Sequence, residues 1–183
     1  MNIIVALNKE FFLLKRIVIN VGCLNNLRFY FIVNGPFGSL CYFMSFLPQQ
    51  RNERYYLTSK VNLTTFLTLL KQTIDGVTVL HKYFLQMVGV GYKSYIPRTR
   101  HFKYLVLKVG FGSVDLGYSL GLGIKGRARK QKFLLVSTDL NHLTNNVRTI
   151  INLKYPNSYT GKGIRMREQN ILLKKSKQQQ RSK

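Results

Sequence analysis

Leu63-Thr64-Thr65-Phe66-Leu67-Thr68-Leu69-Leu70-Lys71-Gln72-Thr73-Ile74 sets Leu63, Phe66, Leu67, Leu70 and Ile74 at i, i+3, i+4, i+7 and i+11, one apolar stripe of an α-helix. Asn62 is placed to cap its start and Gly76 to stop it. Its threonines lower intrinsic helix propensity, so the helix needs a surface to pack on. A shift of 77 positions carries Leu63, Phe66, Leu70 and Ile74 onto Leu140, Leu143, Val147 and Ile151, with Asp139 as N-cap before them and Pro156 as the end beyond. A shift of 74 carries Phe37-Gly38-Ser39 onto Phe111-Gly112-Ser113, and an insertion of three residues reconciles the two shifts. The pattern predicts an α+β fold of two similar modules, each a small, mainly antiparallel sheet covered by one helix. The alternative is two unrelated amphipathic helices with the same period.

Outward from each helix the period changes to that of strands. Upstream of the first, Ile17 to Val21 and Leu27 to Val33 read as a hairpin about Gly22 to Asn26. Leu40 to Phe46 follows a turn at Asn34 to Ser39, then come a polar loop at Pro48 to Glu53 and a short strand at Tyr55 to Leu57. In the second half, Tyr83 to Ile96, Phe102 to Val109 and Phe133 to Ser137 read as strands, with a turn at Gly110 to Ser113 and a last strand around Ile164 to Leu172. The expected organisation is a first module at 1–80 with an N-terminal extension, a second at 81–173, and a basic tail at 174–183. That tail has no apolar stripe and is expected to stay disordered until bound.

The charge is lopsided. Of 29 basic and 6 acidic residues, giving +23, residues 1–88 hold nine and three, and residues 89–183 hold twenty and three. So large an excess exceeds what solubility requires and points to a polyanion, met chiefly by the second half. The 22 uncharged residues from Phe29 to Gln50 are long enough to span a membrane, but Asn34, Gly35, Pro36, Gly38 and Pro48 break a helix there, and two strands around a turn fit instead. Cys23 and Cys41 lie in apolar surroundings without metal-ligand spacing and are expected to be buried thiols. His81, His101 and His142 have no carboxylate at ligand spacing, so neither a metal centre nor a catalytic acid–base group is expected, and no cofactor. Met1 to Leu7 shows no convincing presequence, and the richness in Phe, Tyr, Ile, Asn and Lys suggests an AT-rich coding genome.

Two glycine motifs mislead. Gly121-Leu122-Gly123-Ile124-Lys125-Gly126 spells a dinucleotide fingerprint, but a strand-like run rather than a helix follows it. Gly91-Tyr92-Lys93-Ser94 lacks the glycine that must precede the lysine of a phosphate-binding loop. More informative is Tyr159-Thr160-Gly161-Lys162-Gly163-Ile164-Arg165 with Arg167 beyond it, where glycines permit φ > 0 and close approach while Lys162, Arg165 and Arg167 supply charge and Tyr159 a flat ring. Two readings fit, a phosphate-backbone clamp or a solvated turn between helix and strand. Lys125, Arg127 and Arg129, followed by Lys130 and Lys132, form either a solvated basic loop or a strand with the first three on one face. Arg98, Arg100, His101 and Lys103 make a second basic tip. Tyr92, Tyr95, Tyr155 and Tyr159 lie near these patches, and only Tyr159 is selected as a stacking ring.

Together, Val88-Gly89-Val90-Gly91-Tyr92-Lys93, Lys108-Val109-Gly110-Phe111 and Tyr159-Thr160-Gly161-Lys162-Gly163-Ile164-Arg165, in this order, resemble the motifs of the large-subunit ribosomal protein L-six family. Gly35-Pro36-Phe37-Gly38-Ser39-Leu40 is similar to the glycine-proline turn of that family's first module. The resemblance covers roughly residues 15 to 175. Thr160 stands where the family usually has lysine, and the basic stretch 121–132 replaces a proline-containing segment. The resemblance implies a pair of α+β modules, the second on large-subunit rRNA close to where translational GTPases dock, with neighbouring ribosomal proteins as partners. It makes Lys93, Tyr159, Gly161, Lys162, Gly163 and Arg165 expected rRNA contacts, to which the charge pattern adds Lys125, Arg127, Arg129 and Arg167.

The expected function is a non-enzymatic structural role in a mitochondrial ribosome, in a chain made within the organelle, with no small-molecule substrate and no membrane insertion. A basic peripheral membrane protein is the alternative.

Overall fold

The computed structural model describes residues 3–4, 17–24, 28–44, 47–51, 54–58, 63–97, 103–110, 112 and 114–175. Asn62, the basic tip at 98–101 and the tail beyond 175 fall outside them. The class is the expected one, α+β, with small antiparallel sheets and two helices. The chain divides into one unit of Met1–His81 with Thr138–Leu140 and another of Lys82–Ser137 with Asn141–Lys183.

In the first unit, β1 (Ile3–Ile4), β2 (Val18–Leu24), β3 (Arg28–Gly35), β4 (Gly38–Met44), β5 (Leu47–Arg51) and β6 (Arg54–Thr58) precede α1 (Leu63–Thr78). They form two antiparallel sheets, β2-β3-β4 and β1-β6-β5. The helix lays Leu70, Ile74 and Val77 against Phe31 and Val33 of β3, and the Val77 carbonyl accepts from the Phe37 backbone N–H at 3.2 Å. The supposed loop at Pro48–Glu53 is instead strand up to Arg51. Pro48 is tolerated there because β5 lies at the sheet edge, where a missing N–H breaks no ladder. Gly76 does not stop α1; it is buried inside it, and a Cβ would strike the Thr138 carbonyl and, at 2.9 Å, His81 Nε2. The helix closes at Leu80, whose φ of +68° lets its N–H reach the Gly76 carbonyl at 3.1 Å. Cys41, expected to be buried, is exposed, because alternation on edge strand β4 turns Leu40 and Tyr42 inward and Cys41 and Phe43 outward.

The second unit contains β7 (His81–Val88) from Lys82 on, β8 (Lys93–Tyr95), β9 (Tyr104–Lys108), β10 (Leu116–Ser119), β11 (Lys125–Arg129), β12 (Lys132–Ser137), α2 (Leu140–Leu153) from Asn141 on and β13 (Gly163–Met166). The sheets are β10-β9-β8 and β11-β12-β7-β13. One core joins Leu85 and Met87 of β7, Leu105 and Leu107 of β9, Phe133 and Leu135 of β12 and Ile164 of β13 to Leu143, Val147, Ile150 and Ile151 of α2. The helices begin 77 positions apart, at Leu63 and Leu140, and the shift maps buried Leu70 and Ile74 onto buried Val147 and Ile151. The single strand expected over Tyr83–Ile96 is two, because Gly89–Tyr92 turns the chain. The turn needs glycine at 89, since the buried Tyr92 ring occupies the space that a Cβ there would need, 2.7 Å away, and it lies against Gly110 as well. Gly121–Ile124 is a turn into strand β11, not the entry to a helix, so the fingerprint has no structural counterpart. The last strand ends at Met166, earlier than expected. Among the described residues no helix is long and apolar enough to cross a membrane.

Tyr42 stacks on Phe31, ring centroids 5.5 Å apart, and its phenol is pushed up to about 12 by burial first and then by Asp139, to which it donates a hydrogen bond. A raised folded-state pKa stabilises the fold below the unfolded value of about 10, and that contribution is lost as pH rises through the folded value. Chemical unfolding between pH 10 and 12 should therefore show the wild-type protein losing stability relative to Tyr42→Phe, with a constant difference below pH 9. A difference that stays flat to pH 12 contradicts the assignment.

Candidate nucleic-acid interface

Alternation decides which side chains leave the second unit. In β11, Gly126 and Ala128 face inward and Lys125, Arg127 and Arg129 are exposed, so the strand reading of this stretch replaces the loop reading. The small residues are required: a Cβ on Gly126 would come within 2.8 Å of Ile96 Cδ1 and 3.0 Å of Leu120 Cδ1. Register against β12 sets Arg127 opposite Leu134 and Arg129 opposite Lys132, all on the outer face. The hairpin tip is anchored. The Lys130 carbonyl accepts from the Ser94 backbone N–H and Oγ, each at 2.6 Å, the Gln131 carbonyl accepts from the Met87 N–H at 2.8 Å, and Gln131 Nε2 donates to the Gly89 carbonyl at 3.2 Å.

Across the sheet, β7 turns Tyr83, Leu85 and Met87 inward and Lys82, Phe84 and Gln86 outward, and β13 turns Arg165 outward between inward Ile164 and Met166. Arg165 pairs in register with Gln86, and with the amide oriented to satisfy both groups the Gln86 oxygen accepts from Arg165 Nε at 2.8 Å and Nη2 at 3.1 Å. The half-buried guanidinium is thus held flat along the sheet, with its remaining N–H groups available as donors. The Arg167 N–H bonds the Phe84 carbonyl at 2.9 Å and brings Arg167 to the same face. Arg127, Arg129 and Arg167 meet around one open concavity of about 390 Å³, lined also by Lys132, Leu134, Gln86 and Phe84. No acidic residue lines it; Glu168 lines the neighbouring depression. Four arginine and lysine side chains line it with no carboxylate among them, a one-sided donor surface for an anion.

The remaining predicted residues lie elsewhere. Lys125 lines a separate depression with Lys103. Lys93 is exposed on β8 of the other sheet, directly opposite Lys108, whose charge is partly met by Asp115 at 3.2 Å. Tyr159, Gly161 and Lys162 sit in the connection from α2 to β13, with Tyr159 and Lys162 exposed. That connection is a built loop. Asn157 Oδ1 accepts from the backbone N–H of Tyr159 at 2.7 Å and of Thr160 at 3.4 Å, while its own backbone receives the Gly161 N–H at 2.8 Å and donates to the Lys162 carbonyl at 2.9 Å. Thr160 Oγ1 accepts from the Lys162 N–H at 3.5 Å, so threonine organises the loop rather than adding charge.

Gly163 is placed differently from Gly161. It is buried, and the close approach it permits is to its own chain, since at its φ of +148° a Cβ would lie 2.6 Å from Pro156 Cα and 2.9 Å from the Lys154 carbonyl. Sequence reading singled out Lys132 with its basic stretch but not Asn157, Phe84 or Gln86. Phe84 and Gln86 were recoverable from period-two alternation in 81–88, whereas Asn157 is one of many turn-forming asparagines.

Comparison with known proteins bears on the whole of this arrangement. No protein-family model matches the chain. It is 33% identical over 114 residues to the large ribosomal subunit protein uL6m of Reclinomonas americana, a match covering 62% of this chain and 59% of that one. The large ribosomal subunit protein uL6 of a Hydrogenobaculum species is 32% identical over 62% of this chain and 60% of its own, and that of Maridesulfovibrio salexigens 33% over 60% of each. The chain thus matches about three-fifths of the length of these relatives, which are ribosomal proteins by name.

Gly163→Ala should lower stability by at least about 1–3 kcal/mol from backbone strain alone, with the collision at Pro156 added. Gly161→Ala, at φ +69° and facing only the movable end of Leu173 at 3.3 Å, should cost about 1–2 kcal/mol. Urea unfolding measures both; equal losses would show that packing does not explain Gly163.

Proposed function

We propose that this chain is a structural component of the large ribosomal subunit, held on large-subunit rRNA by its second module, residues 81–173, near the region where translational GTPases dock. The observation that carries this reading is the outer face of the sheet β11-β12-β7-β13. It presents Arg127, Arg129, Lys132 and Arg167 around one concavity that no acidic residue lines, with Arg165 outward on β13 beside Gln86 of that lining. Affinity comes from counterion release as these groups meet phosphates, and position comes from the sheet that fixes their spacing. Lys93 and Lys125 extend the phosphate contacts, and the loop carrying Tyr159, Gly161 and Lys162 makes a second contact at its own end of β13. Gly163 acts on that contact only by shaping the loop. The names of the relatives support the ribosomal part of the reading, and the one named uL6m supports a mitochondrial ribosome with other ribosomal proteins as neighbours.

The double variant Arg127→Ala with Arg129→Ala should remain folded, because both side chains are exposed. If each meets one phosphate, the log–log dependence of rRNA binding on salt should flatten by roughly 1.4–1.8, at about 0.7–0.9 per contact. The wild-type protein should co-sediment with large subunits after a high-salt wash. Loss from the subunit at moderate salt, or an unchanged salt slope in the folded double variant, overturns the assignment.

A further inference from the structure

Phe84 does not fit a surface designed only to attract phosphate. An aromatic ring 48% exposed on the outer face of a sheet leaves a π-face open to a flat partner, whose burial against it would remove apolar surface from water. It lines the same concavity as Arg127, Arg129, Lys132 and Arg167, with Leu134 as further apolar lining. Every polar side chain of that lining is a donor, since the Gln86 oxygen is taken by Arg165 and its amide N–H groups remain. The concavity, about 390 Å³, is at the small end of the range of ligand sites, roughly 300–1,000 Å³.

We propose that it receives a single unstacked nucleotide of the bound RNA, the base lying on Phe84 and the flanking phosphates on Arg127, Arg129 and Arg167. This rests on the rRNA-binding reading and adds the form of RNA taken. An A-form duplex keeps its bases stacked inward and shows a basic surface mainly phosphates and 2′-hydroxyls, so it has nothing to lay on the ring. A bulged or looped nucleotide has a free π-face for Phe84, and base acceptors for the Gln86 amide and the guanidinium groups. Stacking is indifferent to base identity, so the site selects an extruded nucleotide more than a sequence.

The test uses the full-length protein and two RNA hairpins of the same stem, one fully paired and one carrying a single bulged adenosine, titrated at the same salt. The bulged hairpin should bind about 5- to 150-fold more tightly, the range expected for one base stacked on an aromatic side chain. Phe84→Leu keeps apolar bulk without a π-face; it should bring the ratio near one and leave the salt slope unchanged, whereas Phe84→Tyr should preserve the ratio. Far-UV circular dichroism establishes that the variants are folded. A wild-type ratio near one overturns the proposal without any variant, and so does a preference that survives in folded Phe84→Leu. In either case tight binding of both hairpins leaves the rRNA reading standing. Failure of both hairpins to bind at low salt removes the two together.

Discussion

An antiparallel sheet packed on one side obeys a strict rule: each strand must alternate, and whatever is not apolar is sent to the other face. The sheet β11-β12-β7-β13 is packed on one side only, and most of what is distinctive about the second unit follows from that. Inward, Phe133, Leu135, Leu85, Met87 and Ile164 reach the core, and Gly126 and Ala128 are small enough for β11 to lie close over Ile96 and Leu120. Outward, the same strands can only deliver Arg127, Arg129, Lys132 and Arg165 to one surface. Arg129 stands directly opposite Lys132, and a like-charge cross-strand pair costs a fraction of a kcal/mol in the free protein. On the proposed reading an anion offsets that cost, so the fold is most at ease when its partner is present.

What could be read from the chain was what repeats. The helical stripe at 63–74 and its echo 77 residues on were visible because helix periodicity is local, and both helices begin where that shift places them. The class of fold followed, since each stripe requires a sheet. Strand boundaries were harder, because they depend on partners far along the chain. Pro48 looks like a loop residue until β5 is known to be an edge, and Gly76 looks like a stop until Thr138 and His81 are seen against it. The 121–126 fingerprint failed for the reason visible in the sequence, the absence of a following helix.

The candidate site was legible as charge but not as grouping. Lys93, Lys125, Arg127 and Lys162 look equivalent in a basic sequence, yet the fold spreads them over β8, β11 and the loop before β13, and Lys125 lines a different depression from Arg127 on the same strand. The glycines of Gly161-Lys162-Gly163 also look equivalent and are not, for one faces a side chain that can move and the other meets Pro156 backbone. Asn157, which four backbone–loop hydrogen bonds identify as the organiser of that connection, carries no charge and no periodicity to mark it.

Arg165 shows how position and contact can be separated in such a surface. Its neighbour Gln86 spends its amide oxygen on the guanidinium, which removes freedom that a lone surface arginine would lose only on binding. Ordering a long side chain costs on the order of 1 kcal/mol when it happens at the interface, so an arginine already fixed by the fold contributes more of its charge–phosphate attraction as net affinity. Lys162 is exposed, and the hydrogen bonds described for it are those of its backbone, so its side chain has no such advantage. On the proposed reading the two would divide the work by physics rather than by charge, the sheet supplying fixed donors that set register and the loop an adaptable one that follows the phosphate backbone.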